Sequence, residues 1–456
     1  MMRLLTRRGM MRNVRIMPKQ RTSSIMQPDG GPALRIDATA PMNVWAAYGL
    51  SGNPFFQEEL RSEAGAFHPI SLHVGRDDEL RLALRHLGGS PSTRLMVEGA
   101  PGIGKTSFVN KLKAELAAAG MLTHADPVRI VADSSVLAFV ADVLRVLLRI
   151  RAAHKLDGDA FWRRTARIVE GEDTQAGGFN VGPVGVSYER GRVPAEAPLG
   201  NLYEVVGEAL ARLRKELDAA VLLHVNNLEN LSEDDATRAA RLIRDLRDFF
   251  LLPSAHWVFV GASGVDNRVF RAYDQVAGIF PDPIVLEPLR AHEVAELLRR
   301  RYAHLALPDG RAVPPVEPDV AAELYSLYHG DLRNFLRLLS DACALALGIE
   351  GIEPLSAQRI VAAAAPRYAK AIERRIGTTD MDYLSRVVRA APSDEFTVGG
   401  TANRTGLGQS GASRLIARLR NSGVVAETRT EGKRVYYRPA GQVLIALGYT
   451  PDAMTT

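Results

Sequence analysis

The sequence predicts an α/β protein: a parallel sheet wrapped by helices, then a helical domain, then a small module of helices and a β-ribbon. Three observations predict it. Between Ile36 and about Val285, short apolar runs alternate with amphipathic helices, the pattern of strands covered on both faces by crossover helices. From Leu289 to about Arg375 the apolar period is helical throughout, with Val294, Leu297, Leu298 and Tyr302 on one face. Residues 379–456 read as three helices and then two β-rich runs around Glu431-Gly432-Lys433.

The 456 residues allow about three domains of ordinary size. Apolar residues at 46 %, charged at 24 % and aromatic at 6 % exclude a wholly disordered, fibrous or collagen-like chain. The longest apolar stretch, 136–150, is broken by Asp142, Arg145 and Arg149, so no segment is expected to cross a bilayer. A lone Cys343 permits no internal disulfide and points to a reducing, cytoplasmic setting. The net charge of +5 is unevenly spread: residues 1–35 carry +7, residues 381–456 carry +4, and the middle carries −6. Basicity at the two ends marks one or two places that meet a polyanion.

In chain order, residues 1–35 hold six of the eleven methionines, several Pro and Gly, and no apolar period, and are expected to form a disordered basic arm. Arg-rich and acid-poor, the arm also looks like a transit peptide or a stretch upstream of a later start at Met10, Met11, Met17 or Met26. Residues 36–285 form the expected sheet domain, with strands at 95–97, 128–131, 221–225 and 257–260. Residues 286–378 form the helical domain and 379–456 the C-terminal module. Within the first domain, 155–200 is an excursion whose alternating run 179–188 reads as a hairpin, for DNA, for a partner or as decoration. Histidines are scattered without ligand spacing, and His224 and Cys343 are expected to fill core positions.

The chemistry-bearing motif is Gly99-Ala100-Pro101-Gly102-Ile103-Gly104-Lys105-Thr106, which fits G-x-x-x-x-G-K-[ST] between a strand at 93–98 and a helix at 106–119. Glycines let backbone N–H groups turn inward around a β-phosphate, aided by the positive end of the helix. Lys105 would reach the β- and γ-phosphates, the Thr106 hydroxyl would hold Mg²⁺, and Ser107 completes the cradle; the expected cofactors are ATP and Mg²⁺.

With that loop, the middle of the chain resembles an AAA-type P-loop ATPase. It is similar to the branch that holds origin-recognition initiators, helicase loaders and transposon target-selector ATPases. Three further segments carry the likeness, in family order over residues 49–340. Gly52-Asn53-Pro54-Phe55 and Val74-Gly75-Arg76-Asp77-Asp78-Glu79-Leu80 match segments that wrap the adenine, which implies roles for Pro54, Gly75 and Arg76. Gly330-Asp331-Leu332-Arg333-Asn334 matches the lid motif called sensor 2, whose arginine, here Arg333, approaches the γ-phosphate. The resemblance makes the helical domain a lid and implies oligomers when ATP is bound.

The sequence departs from the family at the strand that should end in Asp-Glu. Here residues 221–225 run into Asn226-Asn227. A carboxamide keeps the shape but neither brings negative charge to a metal nor accepts a proton at neutral pH, so slow or absent hydrolysis is expected. Glu229 and residues 233–235 are alternative carboxylates. Sensor 1 falls near Ser263. Gly278-Ile279-Phe280 stands where the family has Ser-Arg-Phe, leaving Arg241, Arg244 and Arg247 as arginine fingers for a neighbouring subunit or as a solvated, ion-paired helix face.

In the C-terminal module, helices are expected at 382–390, 400–407 and 409–421, with Leu415 and Leu419 inward and Arg414 and Arg418 outward. A ribbon with Gly432 at its tip follows. That order is similar to a winged helix of the regulator type. Residues 404–438 carry eight basic and two acidic groups, a field suited to duplex DNA. Gln409, Arg414, Arg418, Lys433, Arg434 and Arg438 are the expected DNA contacts, with Arg414 a guanine reader and Gln409 an adenine reader.

The resulting expectation is an ATP-binding switch or assembly factor acting on double-stranded DNA, with a protein partner and no membrane. The alternatives are a signal-transducing ATPase of transcription or defence, and an active motor.

Overall fold

The computed structural model describes residues 43–63, 65–130, 134–156, 159–170, 199–228, 231–308, 312–346, 353–390 and 395–451. The basic arm and the expected hairpin at 179–188 lie outside the described residues. In the sheet domain the order is α1 (Asp77–Gly88), β1 (Arg94–Gly99), α2 (Lys105–Ala118), β2 (Val128–Arg129), α3 (Val136–Ala153), α4 (Ala160–Glu170) and α5 (Leu199–Leu217), then β3 (Val221–Leu228), α6 (Glu233–Asp245), β4 (Ala255–Ala262), α7 (Asp274–Ala277) and β5 (Ile284–Leu286). The helical region follows with α8 (Ala291–Leu305), α9 (Pro318–Tyr325), α10 (Leu332–Ala346) and α11 (Ala357–Ile376). The C-terminal module is α12 (Thr378–Ala390), α13 (Val398–Thr405), α14 (Gln409–Asn421), β6 (Val425–Glu431), β7 (Arg434–Pro439) and α15 (Gly441–Ala446).

The five strands form a parallel sheet in the order β2-β3-β4-β1-β5. Parallel strands need crossovers, so helices cover both faces and the strands are apolar on both sides. One face packs Leu95, Val97, Leu222, Val258 and Val260 against Phe108 and Leu112 of α2. The other packs Met96, Val225, Trp257 and Phe259 against Phe139 of α3 and Phe249-Phe250, with the Phe250 and Trp257 rings edge-on at 5.1 Å. Side-chain caps start several helices: Ser135 accepts from Ala138 N–H, Ser232 from Asp235 N–H and Ser356 from Arg359 N–H. The carboxyl ends of β1, β3 and β4 lie together at one edge, the edge where open α/β sheets bind ligands.

A third core joins what the sequence reads as three separate parts. Trp45, Tyr48 and Phe55 from the start of the described chain pack with Val294, Leu298 and Phe335, and the same cluster continues into Leu415, Leu419, Val443 and Ile445. The opening segment is therefore a strap across the helical region. Arg301 of α8 is buried beneath it, donating to the Pro54 and Phe56 carbonyls at 3.1 and 2.8 Å, with its guanidinium 3.7 Å above the Phe56 ring. His68 stacks on the Phe56 ring at 3.7 Å as well.

The expected strands at 95–97, 221–225 and 257–260 form; of the strand expected at 128–131 only Val128–Arg129 pairs, with Ile130 beyond it and residue 131 outside the described residues, and β5, not expected, joins the sheet edge. In the C-terminal module, α12, α13 and α14 are followed by an antiparallel ribbon, β6-β7, consistent with the winged helix expected there. Helix α15, not foreseen, packs the module onto α11 and the turn Ser326–Tyr328.

Candidate functional site

The phosphate-type loop leaves β1 at Gly99 and enters α2 at Lys105. Gly102 and Gly104 have φ of 79° and 99°, a region that other residues rarely adopt. A Cβ on Gly99 would lie 3.0 Å from Ile103 Cγ2 and 3.2 Å from the Leu286 carbonyl, so the loop packs tightly against the exit of β5 there. Lys105 is buried, and its Nζ donates to the Gly99 and Ala100 carbonyls at 2.9 and 3.0 Å. Thr106 is half-buried at the helix start. Ser107 fastens the loop helix to the opening strap, because its Oγ accepts from Leu60 N–H at 3.3 Å while Asn110 donates to the Leu60 carbonyl at 2.9 Å.

Gly75 and Arg76 both take left-handed backbone, with φ of 71° and 67°. The Arg76 side chain turns inward, donating to the Glu287 carbonyl at 2.7 Å and to the Ile103 carbonyl at 2.9 Å. It braces the glycine loop against the exit of β5, and burial pulls its pKa down. A Cβ on Gly75 would fall 2.7 Å from Glu293 Oε1. Asn53 makes an Asx turn, accepting from Phe55 N–H at 2.9 Å, and its amide donates to Ser340 of α10 at 3.0 Å. Pro54 and its neighbours thus fasten the strap to the helical region.

Gly330, with φ of 96°, turns the chain into α10, where Asp331 accepts from Asn334 N–H at 3.1 Å and from the Asn334 amide at 2.6 Å. This turn sits on the glycine loop: Arg333 N–H donates to the Gly102 carbonyl at 3.3 Å, and a Cβ on Gly102 would collide with Asp331 Oδ1. Arg333 is brought to the loop by its main chain, and its side chain is exposed.

On β3, alternation puts Leu222, His224 and Asn226 on the face toward α2. Asn226 accepts from Ile130 N–H through its carbonyl at 3.2 Å, and the β3-β4 register shifts between Val225 and Leu228. The Asn227 side chain and Glu229 lie outside the described residues. His224 is buried with neither ring nitrogen hydrogen-bonded; desolvation, then Lys113, pushes its pKa well down and keeps it neutral. Lys113, buried on α2, donates to the His124 and Ala125 carbonyls at 2.8 and 3.0 Å, and desolvation lowers its pKa to about 8. Ser263 is exposed beyond β4. Glu98, the last residue before Gly99, accepts from Gly264 N–H at 3.1 Å and from Asp266 N–H, clamping the loop after β4 to β1.

Arg244 of α6 and Arg247 at its exit are engaged within the chain. Arg247 donates to the Gln275 carbonyl at 3.0 Å and pairs with Asp248 at 2.6 Å; Arg244 pairs with Asp245 and lies over the Tyr273 ring. Arg241 is exposed.

In the C-terminal module, Gln409 and Arg414 are exposed on α14, where Arg414 Nε donates to the Ser410 carbonyl at 3.3 Å. Arg418 makes a two-pronged bond to Asp380 of α12 at 2.8 and 2.7 Å. Arg420 pairs with Glu427 at 3.3 Å, and Arg429 pairs with Glu395 at 2.6 Å and also with Glu431. Lys433 and Arg434 are exposed at the ribbon turn. Arg438, at the ribbon base, is half-buried, and desolvation lowers its pKa. The sequence reading singled out neither Glu98 nor Arg301. A charge closing an apolar strand signals the first; nothing in the run Arg299-Arg300-Arg301 separates the second from its neighbours.

The geometry defines a class: a P-loop nucleotide-binding domain with a helical region seated on its loop. Residues 73–260 match the family described as "AAA ATPase domain". No curated protein matches the chain. Among solved structures, the Aeropyrum pernix ORC1 protein in complex with DNA is similar at 16 % identity over 82 % of this chain and 92 % of that one, with a TM-score of 0.39. The Aeropyrum pernix ORC2 protein (ADPNP–ADP complexes) is similar at 15 % identity over 88 % and 97 %, with a TM-score of 0.44. Cdc6p from Pyrobaculum aerophilum is similar at 16 % identity over 87 % and 96 %, with a TM-score of 0.40. Among the described residues no helix is long and apolar enough to cross a membrane.

Proposed function

We propose that this chain is an ATP-controlled switch or assembly factor that turns ATP over slowly and binds double-stranded DNA through its C-terminal module, a winged helix. The observation that carries the reading is the junction at Asp331 and Arg333. This turn lies on the glycine loop at Gly102 and belongs to the helical region whose core continues into the C-terminal module. An occupant of the loop and an occupant of the module therefore act on one element. Gly99 to Gly104 would cradle the phosphates, Lys105 would swing from its carbonyls to them, and Thr106 would hold Mg²⁺ together with phosphate and water. The donor set fits a metal carried in by the nucleotide, because Asn226 offers a neutral oxygen where the family has a carboxylate. The same absence of charge supports slow turnover.

Exposed Gln409, Arg414, Lys433 and Arg434 support contact with DNA. The favoured branch is that of origin initiators, helicase loaders and target selectors, with assembly of copies when ATP is bound and Arg241 the finger least engaged within its own chain. A second reading, a partner-triggered signalling ATPase whose winged helix meets protein, is favoured by the pairing of Arg418, Arg420 and Arg429 with acids. The deciding experiment measures duplex DNA affinity by fluorescence anisotropy with and without ATP, in wild type and Arg333→Ala. The expected coupling in wild type is about 5–150-fold, equivalent to roughly 1–3 kcal/mol, and it is lost in the variant. Equal affinities in all four conditions would falsify the switch.

A further inference from the structure

One close glycine contact, far from the glycine loop in sequence and outside every motif, joins two elements of the helical region and the C-terminal module. Gly441 opens α15, directly after β7 of the ribbon. A Cβ there would fall 2.7 Å from Cγ of Tyr328 and 2.8 Å from the Leu327 carbonyl oxygen. The second neighbour is backbone, so even alanine forces the start of α15 and the Ser326–Tyr328 turn to shift against each other. That turn runs straight into the junction. His329 and Gly330 both take left-handed backbone, with φ of 50° and 96°, and Asp331 N–H donates to the Tyr328 carbonyl at 2.9 Å. Two residues on, Arg333 N–H meets the Gly102 carbonyl. On its other side, Ala440 N–H donates to the Val424 carbonyl at 2.9 Å, fixing the start of α15 to the ribbon's base.

We propose that Gly441 and Tyr328 are positioning residues for the nucleotide loop: the start of α15 sets the turn that seats Asp331 and Arg333 on Gly102. The C-terminal module is then a working part of the nucleotide site as well as a neighbour of it. Two consecutive left-handed residues leave the turn little freedom to absorb a displacement, so a shift at Tyr328 passes to Asp331. The inference rests on the nucleotide-binding reading.

The test uses the full chain and ATP with Mg²⁺, followed by isothermal titration calorimetry, in wild type, Gly441→Ala, Arg333→Pro, which removes the N–H that meets Gly102 from the first turn of α10, and the double variant. Gly441→Ala is expected to weaken ATP about tenfold, within the usual range of coupling between sites, and the double variant to bind no more weakly than Arg333→Pro alone. A merely loosened fold would give losses that add. Affinity of Gly441→Ala within about twofold of wild type, or additive losses, overturns the inference and leaves the nucleotide reading intact; a wild type that binds no ATP overturns both. If Gly441→Ala does not fold, amide exchange of the wild type decides. ATP is expected to slow exchange at residues 441–447 together with 99–107, and protection confined to the loop overturns the inference.

Discussion

If the C-terminal module binds duplex DNA, the salt dependence should follow the arginines that the fold leaves unpaired rather than the full count. Residues 404–438 carry eight basic groups, but Arg418, Arg420 and Arg429 have acidic partners, Arg404 donates to the Val387 carbonyl, and Arg438 is half-buried at the ribbon base. Arg414, Lys433 and Arg434 are exposed without an acidic partner among the ion pairs described. Three phosphate contacts at about 0.9 each give a log–log slope of affinity against salt near −3, where all eight groups would give about −7. Arg434→Ala should reduce the slope by about one across all sequences. Arg418→Ala should leave the slope unchanged while costing about 1–3 kcal/mol of stability, because Asp380 is buried and loses both its donors. The assay is anisotropy of a labelled duplex from low to moderate salt, with a chain shortened to begin at Ile36 so that the basic arm does not contribute. A slope near −7, or an Arg418→Ala slope that falls as far as that of Arg434→Ala, would refute the pairing argument.

Two further outcomes are expected. Asn226→Asp with Asn227→Glu should raise ATP hydrolysis about tenfold or more in a phosphate-release assay by restoring a metal partner and a base; a brisk wild-type rate that falls in Glu229→Gln would assign the base elsewhere. His73 and His329, each lowered by desolvation to about 4, bind protons more weakly folded than unfolded. Stability should therefore be full above pH 6.5 and fall as pH drops toward 4, by about 1–2 kcal/mol per histidine after solvent screening. His329→Asn, which tolerates the left-handed backbone, should flatten that fall in melting curves taken across the range.

The strands at 95–97, 221–225 and 257–260 were legible because continuous apolar runs bounded by turns have few other uses in a chain of this composition. The glycine loop was legible because backbone geometry restricts which residue can stand at each place. What sequence spacing could not convey is where long side chains end. Arg76 sits in a segment that resembles an adenine clasp, yet its guanidinium reaches carbonyls at Glu287 and Ile103, and no local period records a partner 211 positions away. Arg418 faces outward from Leu415 and Leu419 as expected, but Asp380 waits on a helix 38 positions earlier. Helix α15 was missed because its short apolar run follows Pro439 and Gly441, which read as the end of structure.

The strap has a consequence for how the chain comes to be made. Its anchors are Arg301, 247 positions after Pro54, and Ser340, 287 positions after Asn53. Synthesis at about 5–20 residues per second exposes residues 43–56 for roughly 10–60 seconds before their partners emerge. Throughout that interval Trp45, Tyr48 and Phe55 have no core to enter, while the sheet domain between them and the ribosome can already condense. These aromatic residues leave the tunnel well before their partners and wait for burial, and a growing chain stalled before α8 would carry them bare: a ready foothold for a chaperone or for another unfinished copy.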